Sequence, residues 1–292
     1  MTRFKPLFSL HTLAIAAPFA LYVLHALYFG RWIIDDAGIS YAYARSLAQG
    51  YGLVSQPGMP PVEGFTNFAW VLLLAPFFWL GLFDPIVTPK VLGMALTGLT
   101  FWLAARTLQR VSPHPRLGAV IVLTLLALNT SFVVWSISEL ENPLTACLTA
   151  LLFYRLTDWQ TAAFTPSRTA RLAGLAFLIT LTRPDGLLFA VVFPSLLAIQ
   201  AARRVVSARA ALRTGARYAA VLILLLGGLT LFRYLYFGDL LPNTFYVKGG
   251  SLTENLVNLL LLTPDAFQRI FELFYSVLSY FGGYLLAGMG LA

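Results

Sequence analysis

The chain has 292 residues, of which 59% are hydrophobic, 14% aromatic and only 11% charged, and its mean hydropathy is +0.77. Soluble domains carry about 25% charged residues, so this composition excludes an ordinary water-soluble domain and makes the bilayer the solvent. The net charge of +8 would suit a nucleic-acid binder, but Lys and Arg cluster in short segments between apolar runs, as in cytoplasmic loops, and no nucleic-acid partner is expected.

The first element follows Arg3 and Lys5. Its apolar stretch, residues 10–29, exceeds the about 7–15 residues of a signal-peptide core and matches a spanning helix. An uncleaved first span is therefore expected. A polar segment, residues 31–67, comes next. Within it Ile39, Tyr43 and Leu47 recur at four-residue spacing while Tyr41 and Arg45 share another face, which predicts a short amphipathic helix. Such a helix suits the membrane surface or the protein's own outer face. The sequence QPGMPPVEG, residues 56–64, holds three prolines and two glycines and predicts a rigid irregular turn.

Further apolar runs lie at about 68–83, 88–105, 118–136, 143–157, 172–182, 186–200, 218–237 and 266–291. Helices are expected throughout, because in lipid every backbone polar group must be satisfied within its own segment. The expected fold is thus all-α: a multi-pass transmembrane bundle of about eight or nine apolar helices, one membrane-embedded module over residues 1–292. Cys147, the single cysteine, excludes a disulfide within the chain and a multi-cysteine metal site. His11, His25 and His114 have no metal-ligand spacing.

The loops near 106–116, 155–171 and 201–217, with the N-terminus, hold 13 of the 20 basic residues against one acid, Asp158. The positive-inside rule makes those segments cytoplasmic. Asp35, Asp36, Glu63, Glu139, Glu141, Arg183, Asp185, Asp239, Asn243 and Lys248 then converge on the opposite, extracytoplasmic face of a cell (inner) membrane. Parity demands an odd number of crossings between residues 67 and 106, where two runs occur. One of them, interrupted by Pro76 or by Asp84-Pro85, is expected to be tilted, re-entrant or surface-lying.

Four segments on that face hold groups suited to chemistry. Asp35 and Asp36 follow the first span, where ionised carboxylates must be solvated, paired or metal-bound. One is suited to act as a general base and the other to hold a divalent cation, or both merely open a helix. Glu139 and Glu141 precede Asn142-Pro143, which reads as an N-cap with proline at the first helical position. In LTRPDG, Arg183 and Asp185 form an ionic turn between two short runs. The Arg183 guanidinium fits a phosphate, or the two residues pair to fix a helical hairpin. In LLPNTFYVK, Asn243 and Lys248 are candidates for contact with a sugar or a phosphate. No nucleotide-binding signature is present.

Together these segments resemble the GT-C membrane glycosyltransferases, in particular the terminal β-(1→2)-arabinofuranosyltransferase group. The resemblance is carried by DDAGISYAYARSLAQGYGLVSQPGMPPVEGFTNFAW, then LENPL, LTRPDG and LLPNTFYVK, in that order. It implies a sugar donor carried on polyprenyl phosphate and a glycan or glycolipid acceptor. It further implies Asp35 and Asp36 as base or metal ligands, with Mg or Mn as the possible cation. Glu63, Asn67, Glu141, Arg183, Asp185, Asn243 and Lys248 match positions expected to bind donor phosphate or sugar. Phe65 stands where tyrosine is usual and Asn142 where threonine is usual. Relatives usually run through more spans, so a truncated chain is expected.

The expected activity is inverting glycosyl transfer. The rival readings are a transporter or flippase of lipid-linked sugars, which needs broken helices with paired half-sites, and a non-catalytic remnant.

Overall fold

A computed structural model describes residues 10–30, 32–157, 165–249, 268, 271 and 272. Within these residues the protein is all-helical, without strands. The chain divides into two compact units, Met1–Pro242 and Asn243–Ala292. The second is described chiefly at the short helix Asn243–Gly249. The apolar run 266–291 lies outside the described residues, apart from three of its positions.

The first unit opens with α1, Leu10–Phe29, and then α2, Ala37–Ala48, where the four-residue spacing predicts a helix. Next come α3, Phe68–Trp79, and α4, Val87–Val111. The run 118–136 is two helices, α5, Pro115–Leu128, and α6, Thr130–Ser136, bent by 73° at Asn129. The bend has a local cause: the Asn129 side chain accepts the Phe132 N–H at 2.8 Å, capping α6 while its backbone leaves the helical region. The helices α7, Asn142–Thr157, and α8, Pro166–Thr182, follow. A 3-10 helix, Pro184–Val191, runs into α9, Val192–Ala202, and α10, Ala208–Phe237, is the longest element.

Four helices are long and apolar enough to cross a membrane, five if α5 and α6 form one broken span, among the described residues. Of α10's most apolar window only 6% is buried. A surface this apolar is unfavourable in water and natural in lipid. The helix α7, at 16 residues, and α8, at 17, are shorter, about 24–26 Å at 1.5 Å per residue. They pack on longer neighbours, α7 on α4 and α8 on α10.

Three apolar clusters hold the unit together. One joins α1, α4, α5 and α6 around Tyr22, Phe101 and Leu123. A second joins α7, α8, α9 and α10 around Ile179, Phe193 and Tyr218. The third, around Trp70, Val71 and Leu74 of α3, seats α2 and the loop after it. Small residues set the closest approaches, as lipid-facing bundles require. A Cβ on Gly93 of α4 would lie 2.4 Å from the Ser136 carbonyl oxygen of α6.

The contacts sort the helix ends into two groups. The start of α4 meets the segments after α1 and α6, the start of α7 meets the end of α8, and the end of α10 meets the loop after α2. At the opposite end Arg110 of α4 meets Tyr154 and Thr157 of α7. The first end carries Asp35, Asp36, Glu63, Asp84, Glu139, Glu141, Asp185 and Asp239; the second carries the arginine clusters and no described acid. The helix α3 starts and finishes at the acidic end. Asn67, just before it, bonds to Glu141, and Phe83, just after it, packs on Tyr41 of α2. It thus returns to the end at which it starts, and at 12 residues it spans only about 18 Å.

Gly93→Ala is expected to lower stability by about 1–3 kcal/mol through overpacking. Gly174→Ala in α8, where the added Cβ meets nothing within 4 Å beyond the neighbouring backbone of its own helix, should be neutral or stabilising. Thermal unfolding of the two purified variants in detergent compares them.

Candidate functional site

The acidic end is organised by three ion-pair assemblies. The deepest joins Lys90 of α4 to Glu139, whose side chains are only 12% and 1% exposed. The Lys90 ammonium also donates to the Trp32 carbonyl at 2.8 Å and the Ile137 carbonyl at 2.9 Å, which uses all three of its protons. The second oxygen of Glu139 accepts the Ile34 N–H at 3.2 Å, and its backbone carbonyl accepts the Trp70 indole N–H of α3 at 3.1 Å. Glu139 itself stands at φ 62°, a left-handed conformation that a non-glycine residue rarely takes. Strain of this kind persists only where the surroundings enforce it, and here three segments do so, through Lys90, Ile34 and Trp70.

The second assembly joins four of the candidate residues. Glu141, just before α7, accepts from Asn67 Nδ2 at 2.9 Å and from Arg183 Nη1 at 3.0 Å. Asn67 and Ser40 of α2 exchange hydrogen bonds at 2.9 and 3.2 Å. Arg183 also donates from Nη1 to the Asn142 side-chain oxygen at 3.3 Å, and from Nε and Nη2 to the two oxygens of Asp185 at 3.0 and 3.3 Å. Four of its five N–H donors are thereby used. The Arg–Asp pair fixes the α8 hairpin, the structural alternative raised above, and Arg183 retains about one donor for a ligand. Asn142 is the first residue of α7 rather than its cap, because its side chain is turned to Arg183; the Glu141 carbonyl accepts the first helical N–H, from Thr145.

The third assembly gives Glu63 a partner on α10. This carboxylate is buried and held in a forked pair by Arg233 of α10, at 2.8 and 2.9 Å. Burial pushes its pKa up, and Arg233 opposes the rise without cancelling it. The Leu53 N–H donates to Tyr236 of α10 at 2.8 Å beside it. Gly52, at φ 82°, approaches that ring so closely that a Cβ would lie 2.3 Å from the phenol oxygen. Glu63 thus fastens the turn 52–66 to α10.

Asp35 and Asp36 sit in the turn before α2, both exposed. One oxygen of Asp35 accepts the Asp36 N–H at 3.0 Å. Asp36 occupies the N-cap of α2 without capping it by its side chain. Asp36 and Ser40, four residues apart, share a face of α2, so the carboxylate stands one turn from the Asn67–Glu141–Arg183 network. The Lys90–Glu139 pair holds the chain on its other side, at residues 32 and 34. Asp84 closes the turn that leads into α4: its carboxylate accepts from Ile86 and Val87 at 2.9 and 2.7 Å, and those N–H groups pull its pKa down. Tyr41 donates to the Pro85 carbonyl at 3.0 Å. Burial, with the negative charges of Glu139 and Asp84, raises its pKa, so it stays protonated.

Asn243 begins α11, Asn243–Gly249, in the second unit and is exposed. The Lys248 side chain lies outside the described residues. No three acidic, histidine or cysteine side chains come together as a metal cage among the described residues. Asp35 and Asp36 are adjacent carboxylates, and Mg2+ is commonly held by one or two carboxylates with phosphate oxygens and waters completing its shell. Lys90 and Arg233 are partners that the motifs did not flag. Lys90, a lone cation beginning an otherwise apolar run, was the available signal, since ionisable residues in such runs have partners. Comparison with protein-family models, curated proteins and solved structures yields no match.

Removing one partner of a buried pair costs about 3–5 kcal/mol. Lys90→Met and Glu139→Leu are each expected to show such a loss, and the double variant less than their sum, in a double-mutant cycle read by unfolding in detergent. Because the folded chain holds the Glu63 proton more tightly than the unfolded chain, this residue makes stability fall as pH rises through the window just above the ordinary carboxylate range. Subtracting the unfolding profile of Glu63→Gln from that of the parent should leave a slope of that sign.

Proposed function

We propose that the chain is a membrane glycosyltransferase of GT-C type that takes a sugar from a polyprenyl-phosphate donor. The acceptor is a cell-envelope glycan or glycolipid, and the acidic end works on the extracytoplasmic face of the cell membrane. The observation that carries this reading is the meeting of four segments distant in sequence. Residues 35–40, 67, 139–142 and 183–185 share one end of the bundle and are joined by hydrogen bonds and ion pairs.

In this reading Asp35 or Asp36 removes the proton from the acceptor hydroxyl as its oxygen attacks the anomeric carbon. The bond from that carbon to the phosphate oxygen breaks on the opposite side, and its electron pair leaves with the polyprenyl phosphate, inverting the centre. The charge balance then sets a condition. At the acidic end eight described carboxylates face four described cations, Arg45, Lys90, Arg183 and Arg233, and three of these cations are already paired. A phosphate approaching that surface meets net negative charge from the described residues. A divalent cation held by the carboxylate not acting as base would offset it and stabilise the leaving group. The free donor of Arg183 would add one hydrogen bond.

A second reading, movement of a lipid-linked sugar across the membrane, is favoured by the broken α5–α6 pair. A single assay separates the two: purified protein incubated with polyprenyl-phosphate sugars releases free polyprenyl phosphate if it transfers, and relocates intact donor if it transports. With transfer, Asp35→Asn and Asp36→Asn are each expected to lower turnover by about 100-fold or more, and chelation to abolish activity that Mg or Mn restores. Undiminished turnover in both variants rejects the assignment of these carboxylates.

A further inference from the structure

At the basic end, a groove of about 530 Å3 opens between α7, α8 and α10, a volume within the about 300–1,000 Å3 of small-ligand sites. Its lining is graded in one direction. On α8, Arg168, Arg171, Leu175 and Leu178 follow at intervals of three and four, one stripe of the helix, with the arginines in its first two turns and the leucines deeper. Arg155, in the last turn of the antiparallel helix α7, repeats the order with Leu151 one turn deeper. Among the described residues no carboxylate lines the groove. One terminal nitrogen of Arg168 is fully buried and has no hydrogen-bond partner among the described residues.

A buried guanidinium nitrogen left without an acceptor is expensive, and nothing described at this end supplies an acceptor of opposite charge. Three cations at the mouth, one short of a partner, above an apolar floor are complementary to a molecule with an anionic head and a hydrocarbon tail. Guanidinium groups fit phosphate oxygens in forked geometry, and basic pockets between membrane helices bind acidic headgroups. We propose that this groove binds an anionic phospholipid, its phosphate on Arg155, Arg168 and Arg171 and its chain along Leu175 and Leu178. The site lies at the opposite end of the bundle from Asp35 and Asp36 and stands independently of the transfer reading.

The test uses the full chain purified in detergent, delipidated, and titrated with phosphatidylglycerol or phosphatidylcholine, with bound lipid counted by native mass spectrometry and unfolding temperature followed in parallel. Phosphatidylglycerol is expected to bind and to raise the unfolding temperature, with phosphatidylcholine at least ten-fold weaker. Arg168→Gln/Arg171→Gln should erase that preference, whereas Arg209→Gln/Arg213→Gln, exposed arginines at the same end, should keep it. Leu178→Asp, an exposed groove position (43%), should also lose lipid while remaining folded, which covers the case of an arginine variant that misfolds. Equal binding of the two lipids, equal loss in both arginine pairs, or protection by inorganic phosphate as great as by phosphatidylglycerol would each overturn the proposal.

Discussion

The buried pair of Lys90 and Glu139 is the constraint from which the acidic end is built. Charges removed from water persist only with full hydrogen bonding. These two meet that condition by drawing on the segment after α1 and the carbonyl after α6, while the indole of α3 holds the Glu139 main chain. The pair thus decides where α1 hands over to α2, and so where Asp35 and Asp36 stand. Around it the Asn67–Glu141–Arg183 chain and the Glu63–Arg233 fork tie the loop after α2 to α7, α8 and α10. The three assemblies enclose their own charges and leave four carboxylates, Asp35, Asp36, Asp84 and Asp239, without a described cation.

Lengths and periods of apolar residues made most of the helices legible. The run 10–29 is α1 to the residue, and the spacing of Ile39, Tyr43 and Leu47 predicts α2, which packs on α3 as one of the two placements foreseen. The same signal says little about direction: an apolar run of about 16 residues reads alike whether it crosses or returns. For 68–83 the outcome rests on Asn67 and Phe83, which meet partners at the same end. The bend at Asn129 was equally hidden, because hydropathy averages over a polar residue that caps the next helix.

The site was legible in part for a similar reason. Sequence locates carboxylates and guanidinium groups but not their partners. Arg183 reads as a phosphate binder by its chemistry alone; its neighbours Glu141, Asn142 and Asp185 make it mostly a fastening. Glu63 reads as a sugar contact until Arg233, 170 residues away, is placed against it. Asp35 and Asp36 remain exposed because the Lys90 pair and the Glu63 fork are complete without them.

The backbone of Glu139 places unusual demands on its own position. At φ 62° the main chain would prefer glycine, asparagine or aspartate. Reaching Lys90 and the Ile34 amide together calls for a carboxylate on the longer two-carbon stem. Glycine would satisfy the first requirement and abandon the second; aspartate would retain the charge on a shorter arm. Two independent tolerances, one torsional and one of reach, thus overlap at a single amino acid. Sequence drift at residue 139 is accordingly confined more narrowly than its place in a connecting loop would suggest.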